Sequence, residues 1–140
     1  MKSMRQLVRL HRWKLNERRQ KLVELEELAV KMRLEIDRLD ERMTAESKTA
    51  EAFAEIAVAY PGYVSAMLDR RKKLDQSIAE VELSVAQARD EVTEAFQELK
   101  RYELALRNKE QRLAAKVRQR EQAQTDAQGD ATYRNYAALV

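Results

Sequence analysis

Apolar side chains recur at alternating steps of three and four residues along most of this chain. No other feature constrains the fold as strongly. With Leu22 at position a, the a and d positions run Met4, Val8, His11, Leu15, Arg18, Leu22, Leu25, Ala29, Met32, Ile36, Leu39, Met43, Glu46, Ala50, Phe53, Ala57 and Tyr60. Only His11, Arg18 and Glu46 break the stripe. Such a repeat keeps one face of a helix turned toward one partner, which is the coiled-coil condition. A second run follows: Val64, Met67, Arg71, Leu74, Ile78, Val81, Val85, Ala88, Val92, Ala95, Leu99, Tyr102, Leu106, Lys109 and Leu113, broken only by Arg71 and Lys109. Composition agrees. The 140 residues include two glycines, one proline and no cysteine, so the chain makes very few tight turns. Sheets, barrels, doubly wound folds, disulfide scaffolds and cysteine-based zinc sites are excluded. The expected fold is all-α, a long antiparallel two-helix coiled-coil hairpin.

The reversal is expected at Tyr60-Pro61-Gly62-Tyr63, which holds the only proline and one of the two glycines. Proline removes a backbone donor and disfavours helix in the residue before it. The expected organisation is a hairpin over residues 1–122, with helices at about 2–60 and 63–122 and a turn at 60–63. A flexible C-terminal tail is expected over 123–140, because Gln122–Asp130 carries no stripe. Tyr133, Tyr136 and Leu139 in that tail form either a docking peptide or a loose end; a loose end is the expectation. The competing arrangement is a kinked helix that dimerises in parallel. It would stack Arg18, Glu46 and Arg71 each on its own copy, so the hairpin is preferred. A hairpin centred on Pro61-Gly62 pairs residues whose numbers add to about 123.

The net charge is only +3, but its placement is polar. Residues 2–21 hold eight bases (Lys2, Arg5, Arg9, Arg12, Lys14, Arg18, Arg19, Lys21) and one acid, Glu17. Residues 100–120 hold eight more (Lys100, Arg101, Arg107, Lys109, Arg112, Lys116, Arg118, Arg120) against Glu103 and Glu110. Between them the chain is acidic, apart from the knot Arg70-Arg71-Lys72-Lys73. A hairpin would gather the two basic stretches into one positive end above a negative shaft. Charge runs are often no more than a solvated helix face; this polarity favours an acidic partner. Nucleic acid would be held only non-specifically, because few base-reading side chains accompany the charge.

Chemistry-bearing groups are scarce. Gly62 and Gly129 cannot build a phosphate-cradling loop, so the chain is not itself an ATPase. The lone His11 sits at a d position and reads as a half-buried structural histidine. No catalytic, metal or cofactor site is expected. No apolar run is long enough to cross a bilayer and no signal-peptide core is present, so a cytoplasmic protein is expected. Off the seam, Leu7, Leu10 and Trp13 lie on one outer face, and Val23, Val30 and Leu34 on another. Phe53, Tyr60, Tyr63, Met67 and Leu68 cluster near the turn, either as hydrophobic closure or as a docking surface.

The run Leu7-Val8-Arg9-Leu10-His11-Arg12-Trp13-Lys14-Leu15-Asn16-Glu17-Arg18-Arg19 resembles the opening of the flagellar export protein FliJ family. Glu98-Leu99-Lys100-Arg101-Tyr102-Glu103 and Arg107-Asn108-Lys109-Glu110 resemble its second helix. The family is related to the YscO-type stalk proteins of type III secretion. The likeness covers about residues 1–122; near the C-terminus Thr125-Asp126-Ala127 departs from the Leu-Asp-Glu motif of many members. The resemblance implies a non-enzymatic stalk and coupling component of the flagellar type III export apparatus. It would act in the cytoplasm, peripherally at the inner membrane at the flagellar base. Its basic end would enter the hexameric flagellar export ATPase (FliI-like) through Arg5, Arg9, Arg12, Arg18, Lys109, Arg112 and Lys116. Phe53, Tyr60, Tyr63 and Met67 would contact the cytoplasmic domain of the export gate protein FlhA. Export chaperones are further partners implied by the resemblance. Readings from other classes are a general coiled-coil spacer, a nucleic-acid-associated protein using the basic end, and a secretion chaperone.

Overall fold

A computed structural model describes residues 3–139; Lys2, counted above among the basic residues, lies outside them. The fold is all-α, with two helices and no strand among the described residues: α1, Met4–Ala52, and α2, Ala54–Leu139. Helix α1 opens on a capping box. The Gln6 N–H donates to Ser3 Oγ (3.2 Å), and the Ser3 N–H donates to Gln6 Oε1 (2.9 Å). Two otherwise orphan donors are thus satisfied reciprocally.

The helices divide into two compact units. The unit Trp13–Phe96 holds the chain reversal. Its seam buries Leu15, Ala29, Leu39 and Ala50 of α1 and Val85 and Ala88 of α2, all at expected a or d positions. Ion pairs flank that seam: Arg18 and Lys21 with Glu91, Glu26 with Arg89, Arg33 with Glu82, and Asp40 with Arg71. In the other unit, residues up to Arg12 pack with those from Gln97 onward. Here Val8, His11 and Leu99 are buried, and the rungs are Arg5–Glu110 (3.2 Å) and Arg12–Glu103 (3.5 Å), seven residues apart on each helix.

Partner rises in one helix while it falls in the other, so the pairing is antiparallel, as expected. Its register is not the expected one. The helix breaks at Phe53, not at Pro61-Gly62. The Phe53 N–H still donates to the Thr49 carbonyl, and the Phe53 carbonyl accepts from the Ala57 N–H, both at 3.1 Å. Phe53 therefore closes one helix and opens the next, and Glu55 complements the positive start of α2. Charge explains the choice. A reversal at residues 61–62 would set Arg18 opposite Ala105, Glu26 opposite Gln97 and Asp40 opposite Leu83, leaving about six turns of helix without these counter-ions. The observed register, in which ion-paired residues have numbers adding to 109–115, gives each of the three an oppositely charged partner.

Pro61 and Gly62 are consequently helical residues of α2. Proline leaves the Ala57 carbonyl without its N–H partner, and Ala57 is exposed, so water can supply one. Gly62 has no positive φ, and a Cβ there would meet nothing within 4 Å. The expected tail is also corrected: α2 continues as exposed helix through Leu139, because its Ala- and Gln-rich sequence needs no stripe to hold helical bonds.

Both residues should therefore be stabilising to replace. P61A should gain about 1–3 kcal/mol and G62A about 0.5–1 kcal/mol, read as a higher midpoint in thermal circular dichroism. A turn at these positions would give the opposite sign.

Candidate cationic binding site

Helix α1 starts at Met4, and its first rung reaches only Glu110. From about residue 111 onward no described residue of α1 lies alongside α2, and all its described side chains except the half-buried Ala115 are exposed. This follows directly from the unequal arms, 49 residues in α1 and 86 in α2. Over 107–120 this helix carries Arg107, Lys109, Arg112, Lys116, Arg118 and Arg120, none in an ion pair among the described residues. The only carboxylate in that span, Glu110, is held by Arg5. At 100° per residue, Arg107 and Arg118 project to one side and Lys109, Arg112, Lys116 and Arg120 to the other. The charge thus surrounds the helix instead of lying on one face.

The expected site residues divide accordingly. Arg9, Lys109, Arg112 and Lys116 are exposed and unpaired among the described residues. Arg5 and Arg12 belong to the same unit, but their guanidiniums are engaged by Glu110 and Glu103. Arg18 belongs to the unit Trp13–Phe96 and bridges Glu91 at 3.4 Å, so the structure does not bring it into this site. Arg107, Arg118 and Arg120 were within the basic stretch but not among the expected contacts. What singles them out is that none has a counter-ion among the described residues and that Arg118 and Arg120 lie beyond the end of α1, which spacing alone does not reveal.

Glu103 is the best-held carboxylate. Lys100 Nζ donates a hydrogen bond to its Oε2 at 3.1 Å and lowers its pKa from the ordinary carboxylate value. Partial desolvation opposes this, and attraction to Lys100 and Arg12 adds to it. A carboxyl lowered in the folded state contributes stability above its unfolded value and loses it as pH falls through the folded one. Beside it, His11 is 5% exposed and stacks on Tyr102, with centroids 4.2 Å apart and planes 13° from parallel. Its Nδ1 lies 3.9 Å from Glu98 Oε2. The histidine is a seam residue, as its d position predicts.

The residues expected at the export gate lie in the other unit, near the reversal. Phe53 is exposed, whereas Tyr60, Tyr63 and Met67 are half-buried; the two tyrosine rings stack at 6.4 Å. The turn therefore leaves only Phe53 of the four exposed. Val23, Val30 and Leu34 are exposed, as the outer stripe predicts. No group of metal-ligating side chains occurs among the described residues, and no helix is long and apolar enough to cross a membrane. Comparisons with protein-family models, curated proteins and solved structures found no match for the chain.

Glu103 and Glu110 act as internal counter-ions that restrain the site. E103Q/E110Q should raise the salt needed to elute the protein from an immobilised polyanion. The melting midpoint should change little, since exposed pairs are weak. R112Q/K116Q should lower the eluting salt with no change in melting.

Proposed function

We propose that the protein is a non-enzymatic stalk and coupling component of a type III export apparatus. Its lone α2 segment enters an acidic ring lumen, that of a hexameric export ATPase, and promotes ring assembly and turnover. The observation that carries the reading is the set of six unneutralised cations at 107–120, four of which (Arg112, Lys116, Arg118 and Arg120) lie beyond the last rung, where no described part of α1 accompanies the helix. A single helix is about 10–12 Å across, narrow enough for a central pore, and its charge projects to both sides. A partner that surrounds it meets cations on two opposite sides. The likeness of Leu7–Arg19 and Glu98–Glu110 to FliJ-family sequences supports the identity of that partner. The reversal region, with Phe53 exposed on it, supplies the contact on the gate side.

R112E/K116E/R118E should abolish stimulation of the partner ATPase and raise its assembly threshold. R5Q/R12Q should cost much less, because those guanidiniums already have carboxylate partners. Full stimulation by the triple variant overturns the placement. Tight binding to duplex DNA, with Kd well below roughly 1 μM at physiological salt, would instead favour the nucleic-acid reading.

A further inference from the structure

The unit Trp13–Phe96 contains a second cationic feature, and it is built differently from the first. A groove of about 200 Å³ between the helices is lined by Arg38, Leu39 and Arg42 of α1 and Arg70 and Leu74 of α2, with Glu35 as its one carboxylate. None of the three arginines has an ion pair among the described residues, although Arg71 beside them is held by Asp40. Arg38 and Arg42 are one helical turn apart, and Arg70 faces them from the other helix. Three guanidiniums converging on one groove repel one another unless an anion joins them.

The surface between this groove and the reversal is the least charged part of the chain. From Ala52 to Leu68, Glu55 is the only charged residue. On α2, Ile56, Ala59, Tyr63, Ala66 and Arg70 follow at steps of 3, 4, 3 and 4, so they share one flank. Arg38, Arg42, Ala45 and Thr49 of α1 follow at steps of 4, 3 and 4 and also share one flank, and Phe53 lies just past the end of α1. The two flanks meet at the groove. The result is a surface that is apolar or small and uncharged for about 21 Å along α2, from Ile56 to Arg70, and edged by arginines. Phe53 and Ile56 on it are exposed. Glu46 and Glu51 of α1 oppose end-on insertion of the reversal, so contact is oblique.

We propose that this flank docks on an anionic lipid bilayer. Phe53, Ile56 and the edge of Tyr63 enter the interfacial zone, and Arg38, Arg42 and Arg70 hold a lipid phosphate in the groove. Amphipathic surfaces of aromatic and aliphatic residues edged by basic ones bind at that depth without crossing. The inference concerns the reversal unit alone and survives failure of the ATPase reading.

The test uses the full chain carrying I56C with an environment-sensitive fluorophore, mixed with vesicles of phosphatidylcholine containing 30% phosphatidylglycerol. The expected result is a blue shift and co-sedimentation, absent on pure phosphatidylcholine. R38Q/R42Q/R70Q should weaken partitioning roughly a hundredfold. R112Q/K116Q should leave the Ile56 signal unchanged, which separates this site from the cationic α2 segment. V58E lies on a different face of α2, with Val58 85% exposed, and should also leave it unchanged. Circular dichroism confirms that each variant is helical. Several results overturn the inference: no spectral shift with anionic vesicles, equal partitioning of the arginine variant, or equal damage from V58E. Competition by millimolar inorganic phosphate with no vesicle binding assigns the groove to a soluble anion and overturns it too. Occupation of the flank by a gate protein without lipid does the same.

Discussion

Cross-helix charge complementarity fixes this structure. A seam of alanines, valines and leucines between two helices is nearly indifferent to sliding by a heptad, because one apolar layer serves about as well as another. The ion pairs are individually weak. Their value lies in agreement: Arg18, Glu26, Arg33 and Asp40 all find counter-ions in one register. That register centres the reversal near residue 56, past the helix break at Phe53 and before Pro61-Gly62. The reversal in turn makes the arms unequal and leaves the basic stretch of α2 without a neighbour. Local sequence, which favours Pro61-Gly62 as a break, is overridden by tertiary pairing.

The seam was legible in the sequence almost residue by residue. Val8, His11, Leu15, Ala29, Leu39, Ala50, Val85, Ala88 and Leu99 are buried where the heptads place them. Helical periodicity is a local property, and local properties are what a sequence displays. The register was less legible because it depends on pairs 31 to 105 residues apart, such as Asp40–Arg71 and Arg5–Glu110. The missed turn has the same origin. Pro61 is compatible with the second turn of a helix whose Ala57 carbonyl faces water, so its presence was not decisive. The start of α1 was readable in Ser3-x-x-Gln6 but is easily passed over beside the longer pattern.

The cationic site was half legible. The basic stretch at 100–120 was plain from composition; which of its members are free was not. Arg5 and Arg12 look identical to Arg9 in sequence, yet two of them face carboxylates across the seam and the third does not. The arginine groove was hidden, since Arg38 and Arg42 are scattered bases in an acidic stretch and Arg70 belongs to a distant basic knot until the fold converges them. At the reversal, an apolar cluster was visible, but the half-burial of Tyr60, Tyr63 and Met67 depends on how closely the helices approach there.

The lone stretch of α2 has a further property. Its cations are set around a cylinder, and its exposed Leu113 and Val117 are too few to cut a keyed notch. A collar of carboxylates would hold such a cylinder firmly on its axis while distinguishing poorly between one azimuth and the next. Tight capture and free turning, normally in conflict when recognition depends on interlocking shapes, are compatible when it depends on charge spread round a circumference.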